Sequence, residues 1–91
     1  MTSDDYQYIE ELLLRLLNLL STVFTDAERI EVQELIDVGE YGLALETLVD
    51  IVFEEDKWVS SEALVLVYEL VNVMQLSKER FEEKLRGKQP K

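Results

Sequence analysis

The stretch Ala63-Leu64-Val65-Leu66-Val67-Tyr68-Glu69-Leu70-Val71-Asn72-Val73-Met74 decides the fold class. It is apolar almost all round and rich in valine, so periodicity alone fits a buried strand as well as a buried helix. Length and capping favour the helix. A run of this size exceeds the ~4 to 8 residues of a buried strand. Directly upstream, Ser60-Ser61 supplies a side-chain oxygen of the kind that caps a helix N-terminus. With this segment helical from Ser60 or Ser61 to about residue 75, no strand is left and the chain reads as all-α. A helix apolar on every side is expected at the centre of a bundle.

Downstream, Ser77 is placed to cap a short fifth helix in which Phe81 and Leu85 stand one turn apart, and Gly87 ends it. The tail Lys88-Gln89-Pro90-Lys91 has nothing to pack and is expected to fray. Upstream, Asp56-Lys57-Trp58-Val59 reads as a loop. Before it a third helix, residues 40 to about 55, carries Tyr41, Ala44, Leu45, Leu48 and Val52 at core spacing. Gly39 can take the left-handed conformation that ends a second helix, opened by the capping box Thr25-Asp26-Ala27-Glu28. The first helix is expected from about residue 4 to 21, with Thr2 and Asp5 in capping-box spacing. Stepping 100° per residue puts Ile9, Leu12, Leu13, Leu16, Leu17, Leu19, Leu20, Val23 and Phe24 in one arc. Leu14 lies outside it, and Glu10, Glu11, Arg15 and Asn18 lie opposite. The expected architecture is one domain over residues 1 to 87, four main helices plus a short C-terminal one, with a flexible tail at 88 to 91.

Composition limits the chemistry. The 91 residues carry 20 Asp+Glu against 9 Lys+Arg, a net charge of -11, with no cysteine and no histidine. Disulfides, thiolate nucleophiles, Ser-His-Asp triads and imidazole bases are therefore excluded. Five serines are present; Ser3, Ser60, Ser61 and Ser77 read as helix caps and none has a histidine. No stretch has the alternating ligands and central glycine of an EF-hand loop, and no glycine-rich loop is built to hold phosphate. Pairs such as Glu54-Glu55 and Glu82-Glu83 are ordinary on helix surfaces. The expectation is a binding protein, not an enzyme, with no catalytic residue, cofactor or metal. An acyl carrier protein is disfavoured because Val59-Ser60-Ser61-Glu62-Ala63 lacks the Asp-Ser-Leu that carries the prosthetic group. The acidic start Met1-Thr2-Ser3-Asp4-Asp5 is unlike a secretory signal. The run from residue 12 to 20 is broken by Arg15 and Asn18 and falls short of the ~20 residues that span a bilayer. A soluble, cytoplasmic chain is expected.

A net charge of -11 exceeds the roughly 2 to 8 usual for a small domain and repels nucleic acid and anionic lipid. It is also uneven. Residues 1 to 56 hold 15 acids and 2 bases, net -13; residues 57 to 91 hold 5 acids and 7 bases, net +2, which together give -11. The third helix repeats Glu46, Asp50 and Glu54 every four residues, a same-sign spacing that costs helix stability. The second carries Glu28, Glu31, Glu34 and Asp37 at three-residue steps. If Gly39 folds these helices together, the stripes form one acidic surface with Glu54-Glu55-Asp56 at one end beside Trp58. Solvated helix faces account for any single acid. Collectively, such a field beside an aromatic suits a cationic partner. Trp58 reads equally as an anchor or as a residue folded onto the core.

The segment Leu35-Ile36-Asp37-Val38-Gly39-Glu40-Tyr41-Gly42-Leu43-Ala44-Leu45-Glu46-Thr47-Leu48 resembles the MafI family of bacterial immunity proteins. There a helix ending in a Gly-Glu-Tyr-Gly-Leu-Ala type turn is followed by an acidic helix, a short loop, a serine-capped helix and a final short helix. The resemblance covers roughly residues 28 to 86. It implies an antidote to a polymorphic toxin of the contact-dependent growth inhibition kind, often a nuclease and in some cases an EndoU-type RNase. The motif residues themselves have structural explanations: Gly39 for the turn, Ala44 for close helix approach, Tyr41 and Leu45 for the core. Colicin-nuclease immunity proteins are similar in size and acidity, but their Tyr-Tyr-Pro segment is missing. The same turn is similar to one tetratricopeptide hairpin, without a second copy about 34 residues away.

Two functions follow as expectations. In the first, Asp37, Glu40, Glu46, Asp50, Glu54, Glu55 and Asp56 meet Lys and Arg of a basic toxin domain, with Trp58 as anchor, and the chain is a monomer or a homodimer. In the second, the protein is a helical adaptor or self-associating module that uses Leu14 or the outer valines of the fourth helix.

Overall fold

The computed structural model describes residues 3 to 88, with side chains from Asp5 onward. It is all-α: α1 (Ser3–Leu19), α2 (Asp26–Asp37), α3 (Tyr41–Glu54), α4 (Ser61–Val73) and the short α5 (Lys78–Leu85). Helix α1 packs on α2, α3 and α4, while α3 packs on α1, α2 and α5. These two are the central helices. The expectation that α4 is central is therefore corrected: it lies on the flank, chiefly against α1 with a smaller contact to α5. Ala63, Leu64, Leu66, Val67, Leu70 and Val71 are buried at helical spacing, whereas Val65 is 65% exposed. Valine on the outer side extends the apolar pattern round the helix without burying it.

The core of α1 follows the expected arc through Ile9, Leu12, Leu13, Leu16, Leu17, Leu20 and Phe24, and Leu14 is exposed. Val23 is not buried; it is exposed. The helix ends at Leu19, earlier than expected. Beyond it the chain tightens through bonds from Ser21 N–H to Asn18 O (3.1 Å) and Val23 N–H to Leu20 O (3.0 Å). Three-residue closures advance each residue by more than 100°, which turns Val23 outward while Phe24 stays inside. Tyr41, expected in the core, is half-buried, its hydroxyl 3.4 Å from Glu10 of α1 and its ring 6.3 Å from that of Tyr6.

The helix ends show which side chains cap. Glu28 N–H donates to Thr25 Oγ1 (3.1 Å) and Thr25 N–H to Glu28 Oε1 (2.9 Å), completing the expected capping box. Ser60 accepts the Ala63 N–H at 3.1 Å, so Ser60 is the cap and Ser61 the first residue of α4. Ser77 occupies the cap position of α5 but bonds no N–H with its side chain, which corrects its assignment. Ser3 is the first residue of α1, not its cap. The Thr2–Asp5 capping box falls on Thr2, outside the described residues. Three helices end alike, with a left-handed residue followed by a 6→1 bond: Gly39 (φ 79°), Asp56 (φ 51°) and Gln75 (φ 55°), closed by Glu40 N–H to Leu35 O, Lys57 N–H to Val52 O and Leu76 N–H to Val71 O, each 2.9 Å.

Lys88, expected at the start of a frayed tail, is fastened. Its N–H donates to Leu85 O (3.1 Å) and its carbonyl accepts the Val59 N–H (2.7 Å). Residues 89 to 91 lie outside the described residues. No helix among the described residues is long and apolar enough to cross a membrane.

Candidate interaction surface

The acidic stripe of α3 does not face solvent alone. Arg80 of α5 lies 3.6 Å from Glu46, and Lys84 pairs with Asp50. The partners differ by the same interval, 80 − 46 = 34 and 84 − 50 = 34, so α3 and α5 run parallel and in register. Phe81 and Leu85 hold α5 by burial, and its cations flank that contact. Past the helix ends, Lys88 pairs with Asp56. The slightly basic C-terminal segment thus serves as an internal counter-charge for α3. At the exposures of these pairs each contributes only about 0.2 to 1 kcal/mol, and their larger effect is to fix the register of α5. Sequence reading missed the three cations. The available signal was their spacing: 80, 84 and 88 repeat every four residues, as do the acids 46, 50 and 54.

At the end of the bundle where α3 stops, Lys57 reaches back to the start of α2. Its Nζ lies 3.0 Å from Glu28, donates to Val23 O at 2.7 Å and stands 5.7 Å from the centre of the Phe24 ring. The Thr25 N–H is the main cause that holds the Glu28 carboxyl below the usual carboxylate range; Lys57 adds to it and desolvation opposes it. Val59 anchors the loop in the core, and Trp58 points outward, 55% exposed. Phe53 is also exposed, with Lys88 Nζ 6.0 Å from its ring centre.

The acids of the helical hairpin therefore fall into two groups. Glu46, Asp50 and Asp56 are engaged with cations of the same chain. Asp37 accepts a bond from Gln33 Nε2 at 2.9 Å and stays exposed. Glu31, Glu34, Glu40, Glu54 and Glu55 are exposed, and none has an ion pair among the described residues. Helices α2 and α3 do fold back on each other at Gly39. Glu40 stands at the hairpin tip and Glu54-Glu55 at the far end of α3, a helix of 14 residues, about 20 Å away at 1.5 Å per residue. The expected group is thus spread along the hairpin and not gathered at one point. Exposed Ile30, Val38 and Leu43 accompany the free acids on the same hairpin. Ile30 lies outside the buried stripe of Val32 and Ile36, which is the sequence signal that would have found it.

On the other flank a groove of about 380 Å³ runs between α1 and α4, lined by Arg15, Asn18, Leu19, Glu62, Val65, Leu66 and Glu69. The Tyr8 hydroxyl of α1 donates to Glu69, a bond that is the leading cause raising the phenol above its ordinary range. No polar or charged side chain is buried among the described residues, and no three acidic groups there stand close enough to hold a metal ion. The described surfaces present exposed acids beside exposed apolar side chains. Compared with known proteins, the chain matches no family model, no curated protein and no solved structure.

Proposed function

We propose that the protein is an immunity protein that binds a basic toxin domain, a nuclease in the first instance, through the outer face of the α2–α3 hairpin. One observation carries this reading: Glu31, Glu34, Asp37 and Glu40 stay exposed and outside any ion pair among the described residues, with Ile30, Val38 and Leu43 exposed on the same hairpin. Unpaired acid speeds encounter with a cationic surface, and apolar side chains supply the area that water leaves on contact. A nuclease must hold a polyanion in a basic cleft, which makes it a fitting counterpart. The resemblance of residues 35 to 48 to the MafI turn supports the same assignment.

The internal pairs refine the contact set. Asp37, Glu40, Glu54, Glu55 and Trp58 remain candidates. Glu46, Asp50 and Asp56 serve first to seat α5 and Lys88. Calorimetric titration against the toxin domain encoded beside the gene tests the proposal. A complex at micromolar concentration or tighter, weaker as salt rises, is expected; no complex at low salt overturns it.

A further inference from the structure

We infer that the groove between α1 and α4 is a self-recognition surface, and that its occupant is the same groove of a second copy of this chain. Most of the surface argues against self-association, because a chain of net charge -11 repels its copy wherever acid meets acid. This groove is different. Arg15, one of only two bases in residues 1 to 56, lines it together with Glu62 and Glu69. Arg15 forms no ion pair with either of them and none with any other described residue. Glu69 takes the hydrogen bond of Tyr8, whereas Glu62 is exposed and unpaired among the described residues.

The Arg15 guanidinium and the Glu62 carboxylate line one groove and form no ion pair among the described residues. They are satisfied by a two-fold arrangement in which Arg15 of each copy meets Glu62 of the other, giving two identical pairs per interface. Val65 supplies the apolar component: it is 65% exposed on the outer side of α4, while Leu19 and Leu66 line the same groove. In a two-fold contact the Val65 side chains approach each other's groove between the charge pairs, an apolar centre with a polar rim. None of the lining residues belongs to α2 or α3, so a dimer formed here leaves both hairpins free. The inference does not depend on the function proposed for them.

Sedimentation equilibrium of the purified full chain tests it, across concentrations from micromolar to millimolar and at two ionic strengths. The expected result is a reversible dimer that weakens as salt rises. Arg15→Glu places two carboxylates where each pair stood and raises the dimer dissociation constant by about tenfold or more. Arg15→Glu/Glu62→Arg restores association. Val65→Asp, at an exposed position that leaves the fold intact by circular dichroism, also gives a monomer. A wild-type chain that is monomeric over the whole range overturns the inference. So does a dimer that survives Arg15→Glu and Val65→Asp, or one that the double reversal fails to restore.

Discussion

Lys57 and Glu28 lie 3.0 Å apart and join the loop after α3 to the first turn of α2. Both side chains are largely shielded, 14% and 18% exposed, which sets them apart from the other ion pairs. The lysine also holds the Val23 carbonyl at 2.7 Å, so one cation ties three segments. Exposed pairs contribute about 0 to 1 kcal/mol and breaking a buried one costs about 3 to 5. Lys57→Ala is expected between those limits, about 1 to 3 kcal/mol less stable by urea unfolding. Lys57→Met keeps the apolar stem beside Phe24 and loses less. A change below about 0.5 kcal/mol for Lys57→Ala would show that the cluster does not hold the segments.

The same carboxylate sets the response to acid. Glu28 is held below the usual carboxylate range by the Thr25 N–H first and Lys57 second, so the folded state binds this proton less readily than the unfolded one. Its contribution is complete above the unfolded value of about 4.3 and is lost as pH falls through the lower folded value. Below about pH 4 the Glu28 contribution is progressively lost. Glu28→Gln is expected to be less stable at pH 7 and to show a shallower acid limb in urea midpoints measured against pH.

At alkaline pH the sign reverses. Hydrogen bonding to Glu69 raises the Tyr8 phenol first of all, and desolvation followed by an acidic neighbour raises Tyr41 and Tyr68. A raised phenol favours the protonated folded state, so its contribution is present below about pH 10 and is lost above it. Tyr68→Phe, which keeps the ring, is expected to lessen the fall in stability above about pH 10.

Gln75 offers a test of backbone strain. It adopts φ 55° at the end of α4, the conformation that Gly39 adopts at the end of α2. The left-handed region costs a residue with a Cβ about 1 kcal/mol relative to glycine. Gln75→Gly is therefore expected to stabilise by about that amount, raising Tm by about 4 to 8 °C. Asp56→Gly relieves the same strain but loses the Lys88 pair, so its gain is smaller. Gly39→Ala meets open space yet keeps φ 79°, and destabilises by about 1 kcal/mol. Scanning calorimetry of the three variants gives the order.

These helix ends also show what the sequence made legible. Gly39 was readable because glycine is the usual left-handed residue, and Thr25 and Ser60 because their oxygens cap in a recognisable spacing. Asp56 and Gln75 adopt the same backbone without the same signal, since tertiary contacts around Leu76 and Lys57 enforce it. The flank position of α4 was hidden because valine looks apolar whether or not a neighbour covers it; the packing of α4 on α1 decides which side is inside, and Leu64, Val67 and Val71 are buried while Val65 is not. For the candidate surface, the acids were visible as types and spacings. Which of them were already answered by Arg80, Lys84 and Lys88 depended on α5 lying parallel to α3, a tertiary relationship.

That division between engaged and free acids gives the sharpest prediction about function. If the hairpin face meets a cationic toxin, Glu34→Gln and Asp37→Asn remove free charge from the encounter surface and seat no helix. They are expected to leave the urea midpoint within about 0.5 kcal/mol of wild type and to slow association several-fold at low salt, with the difference shrinking as salt rises. Asp50→Asn acts the other way: it unpairs Lys84, costs about 0.2 to 1 kcal/mol of stability and changes association little. Stopped-flow association beside equilibrium unfolding separates the two classes. Equal effects of Asp50→Asn and Asp37→Asn on association rate would return the α3 stripe to the interface and show that α5 yields to the partner on binding.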